Sequence, residues 1–315
     1  MEIGDVRFLN WEAVRVSNGL VEVIVVPSIG RIMAYGFCGE KNLLWHQPQL
    51  EGQALDKSAL KSNQIPEWAN FGGDKVWPTE QSQFPMINGF EWPPDPYFDG
   101  LPHQVEILDK GIRMTSEVSP FCGAQLVRTI TIHPEKTQID IDQTMIKVRQ
   151  GRHSELEPIP LTLWNVTQIH VPDLILFPVS ETSHLDGGVY IFPLDNRTEK
   201  QLSVTKQTGS LKPSKAFHQK IGTDGENWLA ALCGDTAIVE RFQPVSGIRP
   251  DGNLTTEVYA CPDYVELELL SPLHRLKVGE SFSYPISWDL LKLPELAAPE
   301  DRQKRVLAWA RQSKM

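Results

Sequence analysis

The chain has 315 residues, 41% hydrophobic and 22% charged, an ordinary composition for a globular protein. Its formal net charge of −10 argues against nucleic acid, whose binding needs clustered Lys and Arg, and no apolar run reaches the roughly 18 residues of a membrane-spanning helix. The four cysteines, Cys38, Cys122, Cys233 and Cys261, are far apart and form no CxxC pair, which suits free thiols of a reducing compartment. With no apolar core of signal-peptide length at the N-terminus, the expectation is a cytoplasmic protein without membrane partners.

Taken in order, residues 12 to 26 predict a hairpin. Valines alternate on both sides of Asn18-Gly19, a dipeptide that suits a two-residue type I′ turn. Pro27-Ser28-Ile29-Gly30 turns the chain into a further strand, RIMAYGF, with a short NLLW beyond Gly39. The segment from Asn70 to His103 then loses all periodicity. Its prolines, among them Pro85, Pro93, Pro94 and Pro96, break any long helix or central strand. Its aromatic content is too high for disorder, so it predicts an ordered, aromatic-walled loop along one side of a binding cleft.

Strands resume with QVEILDK, GIRMTSEVS, LVRTITIHP and QIDIDQTMIKV, separated by tight turns at Asp109-Lys110-Gly111 and Pro134-Glu135-Lys136. The last of these places Ile139, Ile141, Thr144 and Ile146 on apolar slots, with a slip at Gln143 that suits a bulge. The polar stretch 149 to 158 reads as a hairpin tip within one domain rather than a linker, because IPLTLWNVTQIHV and ILFPVS follow at once. Residues 181 to 226 are weakly periodic and suit an excursion. WLAALCGDTAIVERFQPV, LTTEVYAC, YVELELLSP and SFSYPISWDLL complete the strand pattern. A helix is expected at about 299 to 313: Pro299 suits its first turn, Glu300 and Asp301 its N-terminus, Arg311 and Lys314 its C-terminus, and Val306, Leu307 and Ala310 give an apolar face. More than twelve short strands and one helix predict an all-β protein of two large stacked antiparallel sheets in one domain, 1 to 315.

At this point the sequence resembles a known group. The run Pro27-Ser28-Ile29-Gly30-Arg31-Ile32, the loop Gly72-Gly73-Asp74-Lys75-Val76-Trp77-Pro78 and the later Asn88-Gly89-Phe90 are similar to aldose 1-epimerase relatives with the galactose mutarotase-like supersandwich. The closing stretch YVELELLSPLHRLKVGESFSYPISWDL resembles their last strands. As a whole the chain looks most like the DUF4380 group, for which the resemblance implies a carbohydrate ligand rather than an established reaction. Two departures bear on activity. Where the mutarotases carry a general-acid histidine, this chain has Trp164-Asn165-Val166-Thr167-Gln168, with His170 nearby. Where the sugar-phosphate branch carries a phosphate-binding arginine, it has Glu91-Trp92, which disfavours a phosphorylated sugar.

Interconverting anomers needs one group to protonate the ring oxygen and another to take the anomeric hydroxyl proton. Glu266 and Glu268 share one strand face, opposite Val265, Leu267 and Leu269, and Glu266 best matches the family's base; a solvated strand face is the competing reading. His103, closing the long loop, and His170 are candidate acids, and His170 also suits a structural role. Asp74 and Lys75 suit hydroxyl recognition or, equally, a salt bridge holding the loop. Trp77, Trp92 and Trp164 offer flat faces to a sugar or to the core. Asn70, Glu80 and Gln168 complete the candidate binding set. The histidines lack HxH or HExxH spacing, and no phosphate-cradling loop or GxSxG elbow occurs, so neither metal nor cofactor is expected. The partner expected is a small carbohydrate, bound by a monomer or weak homodimer. The function classes in play are a cofactor-free aldose epimerase, a sugar-binding or sensing module that has lost the acid, and a lyase on the same kind of sandwich.

Overall fold

A computed structural model describes residues 1–58, 68–89, 91–152, 159–205, 207–294 and 297–312. Its strands form two large antiparallel sheets. The first runs in the order β1 (Glu2–Phe8), β2 (Trp11–Ser17), β3 (Val21–Val26), β4 (Arg31–Phe37), β5 (Asp74–Trp77), β10 (Trp164–His170), β19 (Tyr264–Leu270), β18 (Thr256–Ala260), β15 (Gln219–Thr223) and β12 (Tyr190–Ile191). The second runs β13 (Leu202–Val204), β14 (Thr208–Leu211), β11 (Leu174–Pro178), β16 (Trp228–Cys233), β17 (Thr236–Phe242), β21 (Ile286–Lys292), β9 (Ile139–Lys147), β8 (Ala124–Ile132), β7 (Gly111–Thr115) and β6 (Gln104–Leu108), with β20 (Ser281–Ser283) also pairing β9. Period-two alternation turns one set of side chains from each strand into the space between the sheets. Val23, Ile32, Val76, Ile169 and Leu267 from the first sheet and Ile130, Ile141, Ile238 and Leu290 from the second belong to that one core.

Several local expectations hold and others are corrected. The hairpin β2–β3 forms, but the turn is not type I′: Gly19 takes φ +87° while Asn18 does not take a positive φ. Asn18 instead spends its side-chain oxygen on the amides of Leu20 and Val21, both at 2.9 Å. Strand β9 carries no bulge, since its register with β8 is unbroken from Ile132↔Ile139 to Ala124↔Lys147. Gln143 simply points inward and donates to the Tyr284 carbonyl at 3.4 Å, so Met145 and Lys147 follow it inside while Thr144 and Ile146 face out. The 181–226 stretch contributes β12 to β15 to the sheets.

The terminal helix runs Pro299–Ala310, and Lys314 lies outside the described residues, as does Phe90 of the Gly-Phe pair. Val306 and Ala310 pack on the outer face of the second sheet against Trp228, Ala230 and Val239. No described helix is long and apolar enough to cross a membrane.

The long loop is ordered around a strand that its prolines hid. Asp74–Trp77 is only four residues, too short to show a period, yet it sits in the middle of the first sheet between β4 and β10. Gly72 and Gly73 make this insertion possible. Both take positive φ, and a Cβ there would stand 2.2 Å from the Trp45 carbonyl oxygen or 2.3 Å from that of Ile32. The glycine pair is therefore a close-approach device.

Candidate functional site

The site lies on the outer face of the first sheet, where β5, β10, β19, β18 and β15 run side by side. Register fixes which residues share that face: Trp77 opposes Trp164, Lys75 opposes Val166, Gln168 opposes Glu266, and Glu268 opposes Glu257. Tyr259 lies opposite Glu266 on one side and Lys220 on the other. Above this floor is a cavity of about 280 Å³, lined by Glu266, Glu268, Lys220, Tyr259 and Tyr264 from the strands. Trp68, Trp77, Gln81, Trp92 and Leu194 complete its lining.

Two polar clusters build the floor. In the first, Lys75 is fully buried, its Nζ 3.6 Å from Glu266 Oε1 and 5.7 Å above the Trp77 ring. Gln168 Nε2 donates to the same Glu266 oxygen at 2.8 Å. Burial pushes the Lys75 ammonium below its usual range, and Glu266 pulls it part of the way back. In the second, Lys220 Nζ lies 2.6 Å from Glu257 and 3.8 Å from Glu268, while Trp164 Nε1 donates to Glu268 Oε2 at 2.7 Å. Glu268 is 1% exposed, and its other oxygen, Oε1, has no partner within the protein. Burial raises its carboxyl to about 7; Lys220 opposes the rise and Glu266 adds to it. Burial likewise raises Glu257 well above the carboxylate range, with Lys220 opposing. For Lys220, burial disfavours the charge, but Glu268 and Glu257 outweigh it and the pKa rises.

The aromatic wall is fixed from behind by one ion pair. Asp99 accepts from Trp68 Nε1 at 2.8 Å and Trp77 Nε1 at 2.9 Å, and its Oδ2 lies 3.2 Å from Arg31. Arg31, fully buried, also donates to the Gly72 carbonyl at 2.7 Å. Trp92 then packs on both indoles, edge-on, with centroids 4.8 Å from Trp68 and 5.7 Å from Trp77.

Of the residues expected from sequence, Lys75, Trp77, Trp92, Trp164, Gln168, Glu266 and Glu268 gather here. Asn70 reaches the Tyr264 hydroxyl at the margin. Glu80 stands outside the lining, where the chain turns into Gln81–Gln83. Asp74 is turned away. Neighbours on a strand point to opposite faces, so its carboxylate enters the core, paired with Arg128 and accepting from Asn165 Nδ2 at 2.8 Å and Thr167 Oγ1 at 3.1 Å. Asp74 thus takes the salt-bridge alternative, with Arg128, and does not share the cavity with Lys75 and Glu266.

His103 is also away from the cavity: its Nε2 meets the Tyr97 carbonyl at 3.3 Å, its ring packs on Gly30, and burial lowers it to about 4. His170, at the far end of β10, lines a separate depression with Lys41, Asp173 and Cys233, and burial lowers it to about 4 as well. Neither histidine is placed to act on a ligand in the cavity. Sequence reasoning missed Tyr264 and Tyr259, although Tyr264 shares the Glu266 face by simple alternation. It had no signal for Trp68, Lys220 or Leu194, which join only through the tertiary fold. Among the described residues no group of His, Cys, Asp and Glu could hold a metal ion.

The two stacked antiparallel sheets form a galactose mutarotase-like sandwich fold, which solved structures share. A galactose mutarotase related enzyme from Lactobacillus acidophilus superposes with a TM-score of 0.54 at 9% identity, covering 91% of this chain and 100% of that one. A galactose mutarotase-like protein from Lactobacillus casei gives 0.53 at 8% identity, covering 89% and 100%. Identities this low establish the fold alone. Residues 11–291 match the family described as Domain of unknown function (DUF4380), and the chain belongs to that family. Among curated proteins, none matches the sequence.

Proposed function

We propose that the cavity binds a carbohydrate of monosaccharide size. The observation that carries this reading is the pair Glu266 and Glu268, two residues apart on one strand. Glu266 is held by the buried Lys75 and Gln168, Glu268 by Lys220 and Trp164, and both line a space walled by Trp and Tyr rings. Carboxylates accept charge-assisted hydrogen bonds from sugar hydroxyls, while indole and phenol faces cover the apolar C–H face of a pyranose. The solved structures of like fold are named for galactose mutarotases, which supports a sugar as the ligand class. Titration calorimetry with neutral aldoses is the test. Saturable binding that weakens in Glu266→Gln is expected, and no binding of any monosaccharide, neutral or charged, would remove the reading.

A second reading, anomer interconversion without a cofactor, is favoured by the raised pKa of Glu268 beside Glu266. Glu268 would protonate the ring oxygen as the C1–O5 bond breaks, while Glu266 takes the anomeric hydroxyl proton and leaves the open-chain aldehyde. Rotation about C1–C2 and ring closure, with both protons returned, gives the other anomer. Polarimetry separates the two readings. A rate above that of buffer which collapses in Glu266→Gln marks an epimerase, and no rate above buffer marks a binding or sensing module.

A further inference from the structure

The two clusters of the cavity floor do not balance. Five strands present three carboxyl groups on this face, Glu257, Glu266 and Glu268, against two ammonium groups, Lys75 and Lys220. Lys75 is matched by Glu266, so Lys220 is left to serve both Glu257 and Glu268. Asp251 adds to the negative field around all three. Other charges nearby cancel, since Arg31 is paired with Asp99. His218, a histidine close to this face, is joined to the Tyr259 hydroxyl at 2.6 Å.

A buried carboxylate without a counter-charge is costly and resolves by taking a proton or a cation. Glu268 Oε1 is buried, lacks any partner, and belongs to a residue lining the cavity. The lining also holds the rings of Trp68, Trp77, Trp92, Tyr259 and Tyr264, and aromatic faces attract cations. The sheet already uses that attraction: Lys220 Nζ lies 5.2 Å from the Trp164 ring and 4.9 Å from that of Phe192, and Lys75 Nζ 5.7 Å from that of Trp77.

From this unpartnered oxygen, the carboxyl excess and the aromatic walls, we infer that the ligand is an amine-bearing sugar whose ammonium docks on Glu268. The inference rests on the carbohydrate reading of the cavity; it gives Glu268 to the ammonium and so replaces, for such a ligand, its role as acid in the catalytic reading. In the empty site the third carboxyl holds a proton, consistent with the raised pKa values of Glu257 and Glu268. A bound ammonium replaces that proton, which leaves to solvent. An N-acetylated sugar lacks the charge, and a sugar phosphate or uronic acid meets the negative field.

The test is calorimetry on the full chain with glucosamine, galactosamine, the parent hexoses and their N-acetyl forms. It is run slightly below neutrality, in two buffers of different ionisation enthalpy. An amino sugar bound about tenfold or more tightly than its parent is expected, as for a charge-assisted contact. Its binding should also release close to one proton, which the parent hexose does not. In Glu268→Gln the preference and the proton release should both fall away; if that variant fails to fold, Glu257→Gln reduces the same excess. Parent hexoses bound as tightly as the amino sugars, or no proton release, would overturn the inference and leave sugar binding standing. Binding of none of these sugars would overturn both.

Discussion

Replacing Lys75 by Met is the sharpest probe of the cavity floor. The methionine occupies the space of the lysine stem but deletes a fully buried ammonium, leaving Glu266 with Gln168 as its side-chain donor. Breaking a buried pair from one side costs about 3–5 kcal/mol, because the surviving charge stays desolvated. The long 3.6 Å separation and the 9% side-chain exposure of Glu266 place this case at the lower end, near 3 kcal/mol. Adding Glu266→Gln removes the stranded charge, so the double variant should recover most of the loss. The coupling between the two changes should reach about 2 kcal/mol. Equilibrium urea unfolding at neutral pH of the four proteins in the cycle measures this. A Lys75→Met protein within about 0.5 kcal/mol of wild type, or purely additive losses, would refute the claim that the two groups compensate one another. Because Lys75 lies beneath Glu266, any loss of ligand affinity in the single variant is transmitted through that carboxylate.

Asp95 is buried with its carboxyl raised to about 7 by desolvation, so its stabilising contribution is fully present below about pH 4 and is lost as pH rises through about 7. Asp95→Asn, which keeps the acceptor for the Tyr97 amide, should flatten that part of the stability profile, and an unchanged slope between pH 4 and 7 would contradict the assignment. Gly73→Ala should destabilise by more than about 2 kcal/mol, from a Cβ 2.3 Å from the Ile32 carbonyl at φ +68°; a near-neutral value would mean that β5 can shift. Chemical denaturation should show one transition, because both sheets interleave strands from before and after residues 149 to 158, and two separable transitions would restore a division there.

The legible parts of this chain are those in which one period runs long enough to be counted. Strand β4 is found residue for residue, and the face shared by Glu266 and Glu268 follows from the alternation of YVELELL. What alternation cannot reveal is the environment each face meets. An acidic strand face reads equally as solvated. Here it is buried because the loop carrying Trp68, Trp77 and Trp92 folds over it, held by an Arg31–Asp99 pair spanning 68 positions of sequence. Lys220 reaches the same face from β15, in a stretch with no detectable period.

The failure at Asp74 has the same root and a larger consequence. Within a loop, Asp74 and Lys75 are simply adjacent polar residues, free to serve one ligand together. Within a strand they cannot, because parity sends one to each face. Four residues are too few to announce a strand, and the flanking glycines and prolines argue against one. Yet this short strand closes the first sheet between β4 and β10 and so settles both sides at once. Asp74 joins Arg128, Asn165 and Thr167 inside the sandwich, where Glu240 is also buried and burial raises its carboxyl well above the usual range. Lys75 becomes the hidden counter-charge of the cavity. The conserved volume of a Lys75→Met exchange therefore tests the outer face alone, whereas a change at Asp74 would act on the packing between the sheets. The two adjacent residues should give unrelated phenotypes: loss of the Glu266 contact in one case, and a buried Arg128 without its carboxylate in the other.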